Sequence, residues 1–444
     1  MLQLTNSLTG KKEVFKPLNK DEINIYVCGI TPYDYAHLGH GRCYVSFDLL
    51  VRLLRFIGYN VIYGRNFTDI DDKILRRAQE ELGDMHRYPE ITNKYINAFN
   101  ADVHALNCLH PTFEPRVTLM IPQIITFIGK LIDAGHAYVS KSDVYFSVES
   151  FPAYGKLSKH KTEDLIAGQR IEPTEKKRNP LDFALWKGTE DKTFFKSPWG
   201  YGRPGWHIEC SVMAEDLFGP SFDIHGGGRD LIFPHHENEI AQSESLHNMP
   251  MATYWLHNGF IQINKEKMSK SLGNFFTLRD VFKEVDPMVV RYYLLSHHYR
   301  APVEFSLHDV MAVQKSYKRL VRIFDVVCPK LTHEDLKTSS IVEQMLQFLY
   351  DDLNTPGMMG VLFDNLDYLQ QNRQELCAVK LFLQDVLGLT LRPLPEKEVE
   401  ITPEIQALLD ERDAARKQKD WTKADKLRDM LQELGVDVSD KKLS

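Results

Sequence analysis

Closely spaced cysteines are absent from this sequence. Its six, Cys28, Cys43, Cys108, Cys210, Cys328 and Cys377, are scattered, which does not resemble a disulfide framework and fits a reducing compartment, while leaving some of them available as metal ligands. Long hydrophobic runs are absent as well. No apolar stretch approaches the roughly 20 residues that span a bilayer, and the first residues lack the basic and apolar segments of a secretory signal, so a cytoplasmic protein without membrane association is expected. Positive charge is in short supply: 54 Lys and Arg face 61 Asp and Glu, a formal net charge of -7. That balance argues mildly against nucleic-acid binding, because phosphate contacts need cations, but net charge does not locate patches. Internal repeats and low-complexity segments are missing too.

What is present is a chain of 444 residues, enough for two or three domains and a large core. Ile23, Ile25 and Val27 alternate as a strand running into Gly29-Ile30-Thr31-Pro32. Val45, Leu49, Leu50, Leu53, Leu54 and Ile57 then recur at helical spacing until Gly58, and a second strand follows over 61–63. This predicts a right-handed β-α-β unit of a parallel sheet, whose ligands sit outside the carboxyl ends of the strands. The segment carrying His37 and His40 lies at that edge.

From about 90 to 200 the pattern predicts an insertion of two helices, 92–106 and 117–134, and a hairpin of 137–139 with 144–146, while 171–179 reads as a polar, basic surface loop. Sheet-like segments return over 222–260. Beyond about 306 three apolar stripes predict a helix bundle: Leu320, Ile323, Phe324 and Val327; Leu362, Leu366 and Leu369; Val379, Phe382, Leu383 and Val386. A linker with Pro393, Pro395 and Pro403 precedes a last module of two helices. The expected fold is α/β, with a Rossmann-like parallel-sheet domain over 1–305, an α-helical bundle over 306–392 and a small C-terminal module over 400–444.

His37 and His40 are one turn apart at a helix start, where backbone N–H groups favour anions, and Gly39 leaves the backbone bare for an adenine ring. Far downstream, Lys267-Met268-Ser269-Lys270-Ser271 follows a strand, with Gly273 as a hinge. Alone, each string reads blandly, as half-buried histidines and as a solvated loop. Together and in this order, His37-Leu38-Gly39-His40 and the lysine loop resemble the paired ATP-handling signatures of class I aminoacyl-tRNA synthetases. Lys267 and Lys270 would then stabilise, with Mg²⁺, the charge that grows when a carboxylate attacks the α-phosphorus of ATP. Gly226-Gly227-Gly228 with Asp230 resembles the ribose and adenine contact region of the same class.

Cys28 ends the first strand, Cys210 follows Trp206-His207-Ile208-Glu209, and His235 and Glu239 are four apart, a spacing that lets two ligands share one metal. Two thiolates, an imidazole and a carboxylate favour Zn²⁺ over hard, oxygen-seeking ions. Buried free cysteines beside an acidic helix are the bland alternative, and a purely structural zinc site is another. The strings Tyr26-Val27-Cys28-Gly29-Ile30-Thr31-Pro32-Tyr33-Asp34, Asn66-Phe67-Thr68-Asp69-Ile70-Asp71-Asp72-Lys73, Gly205-Trp206-His207-Ile208-Glu209-Cys210-Ser211 and the run from Gly226 to Glu239 resemble the cysteinyl-tRNA synthetases over nearly the whole chain. That resemblance implies one zinc ion on Cys28, Cys210, His235 and Glu239, binding the substrate thiol, and an amino-acid pocket shaped by Gly29, Thr68, Trp206 and His225. It also implies L-cysteine, ATP and tRNA(Cys) as substrates. A monomer is expected. No editing domain is expected, because a site built on one specific polar bond rejects analogues by about 10⁴-fold.

In the last module Leu427, Met430, Leu431 and Leu434 are expected to face inward, Thr422 and Asp425 to start the helix, and Arg416, Lys417, Lys419, Lys423, Lys426 and Arg428 to surround Trp421. Such a run is a solvated face or, with the indole, a stacking and phosphate-contact surface for RNA. The sequence stops at Lys441-Lys442-Leu443-Ser444 without the Gly-Thr-Thr-Trp-Arg-like tail of many members, which puts the manner of anticodon reading in question. Three other readings remain: an ATP-dependent ligase passing cysteine to a small amine, a small-molecule nucleotidyltransferase, and a zinc-stabilised RNA-binding protein. The first should lack the terminal module, the second the zinc ligands, and the third the ATP signatures.

Overall fold

The computed structural model describes residues 1–160, 176–263, 275–395 and 402–433, together with the backbone of Glu266 and Lys267. Two compact units result, Met1–Arg392 and Pro393–Ser444. The first is built on a four-stranded parallel sheet ordered Ala252–Asn258, Phe222–Gly228, Glu22–Ile30, Asn60–Phe67. Glu22–Ile30 is central, and the chain leaves it through the helix Leu38–Phe56 to the neighbour on one side, with the later strands on the other. The order reverses there, so a crevice opens at the carboxyl end of this strand. Strands buried on both faces need continuous apolar sequence, and Ile23, Ile25, Tyr26 and Val27 are all fully buried.

The insertion is larger in β-structure than its sequence predicts. Helices Tyr88–Ala105 and Ile121–Asp133 are followed by a five-stranded antiparallel sheet, in which the predicted hairpin, Ala137–Ser140 and Asp143–Phe146, is joined by Phe183–Gly188, Gly200–Pro204 and Phe195–Ser197. Of the three added strands, Phe195–Ser197 has only three residues and Gly200–Pro204 carries two glycines, which hides their alternation. One apolar core runs from the parallel sheet into this insertion through Tyr26, Ile124, Phe127, Trp186, Ile208, Val212, Ile240 and Trp255. The segment read as sheet over 222–260 also holds a helix, Glu237–His247, between its two strands.

Helices Leu307–Ile323, Ser340–Tyr350, Thr355–Asp364, Leu366–Gln371 and Arg373–Asp385 form the bundle within the first unit. Arg291, wholly buried, ties the bundle to the sheet domain: it pairs with Asp48 and donates to the carbonyls of Leu106 and Leu387. Leu320 and Phe324 face inward as expected, but the helix ends at Ile323 and Val327 is 85% exposed. Cys328 and Cys377 are disulfide-bonded, which runs against the expectation that the scattered cysteines do not form a disulfide framework; they are 49 positions apart and only the bundle brings them together. No helix among the described residues is long and apolar enough to cross a membrane.

The second unit contains Pro403–Lys417 and Trp421–Glu433. Asp420, not Thr422, caps the last helix by accepting from the N–H of Lys423. Ala424, Leu427 and Leu431 are buried, whereas Met430 is 49% exposed and Leu434 lies outside the described residues. Trp421 is exposed, and part of the basic run is neutralised locally, Arg428 by Asp425 and Asp429, Lys423 by Glu411.

Candidate active site

A cleft of about 330 Å³ opens at the carboxyl end of Glu22–Ile30, lined among others by Cys28, His37, His40, Thr68, Trp206 and His235. It also brings together Gly29, Gly39, Cys210, Gly228 and Asp230. Its floor begins with a backbone irregularity. Val27 pairs with Arg65 and Ile30 with Phe67, so an extra residue bulges from the strand at Cys28-Gly29. Gly29 donates its N–H to Asn66 Oδ1 at 2.8 Å, and a Cβ on Gly29 would lie 1.5 Å from the Asn66 carbonyl oxygen. Only glycine permits that approach.

Cys210 sits in the first turn of the helix Ile208–Phe218, His235 in the irregular turn Ile232–His236, and Glu239 in the first turn of Glu237–His247. The ligand atoms of Cys28, Cys210, His235 and Glu239 all lie within 4.8 Å of one another. Cys28 Sγ is 3.7 Å from Cys210 Sγ and 3.6 Å from Glu239 Oε1, and His235 Nε2 is 3.1 Å from Glu239 Oε1. All four are buried, at 5%, 2%, 2% and 0% exposure, so the framework and not solvent holds them. Burial, the Cys210 thiol and the Glu239 charge push the Cys28 thiol well above its usual range. Burial holds His235 and His236 neutral, far below the usual histidine range. Two sulfurs, a neutral imidazole and a carboxylate, with no Lys or Arg on Glu239 among the described residues, form a group able to hold a soft or borderline divalent metal ion.

The wall of the cleft is the start of Leu38–Phe56. His37 caps it: His37 Nδ1 accepts from the N–H of His40 at 3.2 Å and His40 Nδ1 accepts from the N–H of His37 at 3.1 Å, with the two rings stacked 3.6 Å apart. Because both Nδ1 atoms accept, each neutral ring carries its hydrogen at Nε2. The helix start thus combines two imidazole donors with the positive end of the helix dipole.

The other sequence-predicted residues divide. Thr68 is buried, its hydroxyl donating to Glu209 at 2.8 Å, and Trp206 is 41% exposed and stacks on His235 with centroids 4.4 Å apart. His225 lies beneath the floor, with Nε2 2.8 Å from Glu239 Oε2. Gly228 and the exposed Asp230 line the cleft, while Gly226 and Gly227 have packing reasons of their own: a Cβ on them would meet Phe47 at 2.2 Å and Leu231 at 2.9 Å. Lys267 is placed only as backbone, in a two-residue strand paired with Gln262, and Lys270 lies outside the described residues.

Sequence reasoning missed several supports. Glu237, fully buried, accepts from the N–H groups of Gly155, Leu157 and Ser158, and Asn238 accepts from Tyr154, which pins the ligand-bearing helix to the insertion. His236 and His257 were missed as well, though the doubled His235-His236 was a visible signal.

A parallel sheet with a paired-histidine helix start at its switch point and a catalytic-sized cleft beside it is the architecture of class I aminoacyl-tRNA synthetases, and residues 14–315 match the family profile described as the tRNA synthetases class I (C) catalytic domain. The methionyl-tRNA synthetase of Mycobacterium tuberculosis, solved with methionyl-adenylate, shares this fold with a TM-score of 0.59 at 15% identity, covering 84% of this chain and 92% of that one. Residues 398–443 match the cysteinyl-tRNA ligase anticodon binding domain. The cysteine-tRNA ligases of Pelobacter propionicus and Shewanella oneidensis are 43% and 46% identical, each alignment covering 99% of this chain and 98% of the relative. This chain belongs to the cysteine-tRNA ligase family.

Proposed function

We propose that this chain activates L-cysteine with ATP to cysteinyl-adenylate and transfers the aminoacyl group to the 3′ end of tRNA(Cys), with Zn²⁺ held by Cys28, Cys210, His235 and Glu239. The observation that carries this reading is one cleft whose floor is a two-thiol, imidazole and carboxylate cluster and whose wall is a helix start bearing His37 and His40. Zinc, when bound, supplies a soft Lewis acid at which a thiol ionises near neutral pH, whereas a hydroxyl does so poorly and a methyl group not at all.

The chain's own residues divide the remaining work. Gly29, Thr68, Trp206 and His225 shape the amino-acid pocket, with the Trp206 indole over the floor and the Thr68 hydroxyl fixed by Glu209. His37, Gly39 and His40 receive the phosphates of ATP, and Gly226, Gly227, Gly228 and Asp230 the adenosine. Lys267 and Lys270, with Mg²⁺, stabilise the charge that grows on the α-phosphate and the departing pyrophosphate. The attacking carboxylate is already ionised, so no general base is required.

The helical segments from 306 onward, and the module after 400 with its exposed Trp421, serve the tRNA stem and anticodon; the match of residues 398–443 supports this division. A monomer acting in the cytoplasm is part of the reading. The test is exchange of pyrophosphate into ATP by the full chain, run with each amino acid in turn, followed by charging of tRNA(Cys). Cysteine alone should support exchange, and the charged product should form. Exchange with cysteine but transfer only to a small amine would replace this reading with that of a small-molecule ligase.

A further inference from the structure

We propose that Ser7, His257 and His236 form a directed hydrogen-bond chain that donates to the Cys28 sulfur, setting its strength as a metal ligand and deciding which imidazole joins the metal. The inference rests on the metal reading above. Its geometry is continuous: Ser7 Oγ is 2.8 Å from His257 Nδ1, His257 Nε2 is 2.8 Å from His236 Nδ1, and His236 Nε2 is 3.3 Å from Cys28 Sγ. His236 and His257 are 0% and 3% exposed. Ser7 is fastened to the strand that carries His257, because its N–H donates to the Trp255 carbonyl at 2.8 Å.

The polarity is forced link by link. A cysteine that binds a metal is a thiolate and can only accept, so the hydrogen facing Cys28 belongs to His236 Nε2. A neutral imidazole has one N–H. His236 Nδ1 therefore accepts, His257 Nε2 donates to it, His257 Nδ1 accepts in turn, and the Ser7 hydroxyl supplies the last hydrogen.

This chain separates two overlapping ligand sets. Cys28, His225, His236 and Glu239 lie within 4.8 Å of one another, as do Cys28, Cys210, His235 and Glu239. In the first set His236 Nε2 is occupied as the donor to sulfur, and His225 Nε2 faces Glu239 Oε2 at 2.8 Å. In the second, His235 Nδ1 meets His207 Nδ1 at 3.0 Å, leaving His235 Nε2 as the ligand atom. An N–H bonded to a thiolate draws charge from it, so Cys28 becomes a weaker donor and a poorer nucleophile.

The test loads the full-length protein with Co²⁺ and reads the sulfur-to-cobalt charge-transfer band and the alkylation rate of the loaded protein by iodoacetamide. His257→Leu should move the band to longer wavelength and speed alkylation, because Cys28 regains the charge that the chain withdraws. His257→Gln, whose amide still donates, should restore the wild-type band, and the half-buried Ser7→Ala should shift it in the same direction by less. A folded Ser7→Ala and His257→Leu with the wild-type band would overturn the chain, as would a Gln variant that shifts as far as Leu. Loss of one imidazole from the X-ray absorption spectrum in His236→Leu would make His236 a ligand and overturn the polarity. Absence of the band in the wild type would instead remove the metal reading itself.

Discussion

The floor and the mouth of the cleft are built on opposite principles. At the floor, Cys28, Cys210, His235 and Glu239 come from three separate segments, all at or below 5% exposure, and the supporting Glu237 and Asn238 are buried as well. At the mouth, His37 and His40 are half-buried, Asp230 is exposed, and the Lys267 backbone lies in a two-residue strand paired with Gln262. A floor that chooses a ligand by one side-chain atom has to be rigid before the ligand arrives, whereas a mouth that stabilises charge developing during reaction can close late. Substitutions at the floor should therefore damage metal content, stability and activity together, and those at the mouth activity alone.

The sharpest break is Cys210→Ser. It should remove most of the bound metal and lower cysteine-dependent pyrophosphate exchange by more than the ~10–100-fold typical of changes around a metal's ligands. Metal analysis beside the exchange assay checks it; full exchange in a metal-free variant would separate floor from function. At the mouth, Lys270→Ala and His40→Asn should each lower the rate of adenylate formation by about 10²–10³-fold while leaving metal content and cysteine binding at wild-type values. Rapid-quench measurement of the adenylate distinguishes this from weaker ATP binding. A change in metal content in either variant would erase the contrast.

The two ends were also unequally legible in the sequence. The mouth could be read locally, because His37 and His40 are three residues apart and helical periodicity from Val45 to Ile57 places them at a helix start. Their reciprocal capping was not foreseen, since histidine is an uncommon cap. The floor was legible only as residue types and through family resemblance: no spacing rule joins positions 28, 210 and 235, whose meeting depends on the switch point of the sheet. The bulge that re-aims Cys28 left one trace, Gly29. Glu237 left none, because a carboxylate that accepts three backbone N–H groups looks in sequence like a solvated acid on a helix. The same long-range dependence hid the pairing of Cys328 with Cys377 and the sheet made by Phe183–Gly188, Gly200–Pro204 and Phe195–Ser197.

Gly29→Ala sharpens the contrast without altering any ligand. The added methyl group would meet backbone, not a side chain able to swing away, so the bulge has to shift and carry Cys28 with it. Overpacking of this kind costs about 1–3 kcal/mol. Urea unfolding should show that loss, and metal titration a weaker site, although both thiols, His235 and Glu239 remain. Unchanged metal affinity would mean that the floor tolerates movement, against the rigidity argued for it.

The smallest effect is expected at the outer rim. Asp72, whose side chain is 56% exposed, pairs with Lys187 and Arg203 and so joins the helix Asp72–Leu82 to the antiparallel sheet of the insertion. Burial opposes its ionisation, but the hydrogen bonds and charges of Lys187 and Arg203 prevail and hold the carboxyl below its usual range. A carboxyl depressed in the folded state adds stability that is fully present above its unfolded value of about 3.9 and fades as pH falls through the folded value. Asp72→Asn should accordingly cost no more than about 1 kcal/mol near neutral pH, an amount screened by salt. Urea melts of both proteins between about pH 2 and pH 7 should show the gap closing at the acid end. The metal content should not change at neutral pH, because the floor takes none of its rigidity from an exposed ion pair. A variant that lost metal as well as this small increment would show that the rim and the floor are mechanically one.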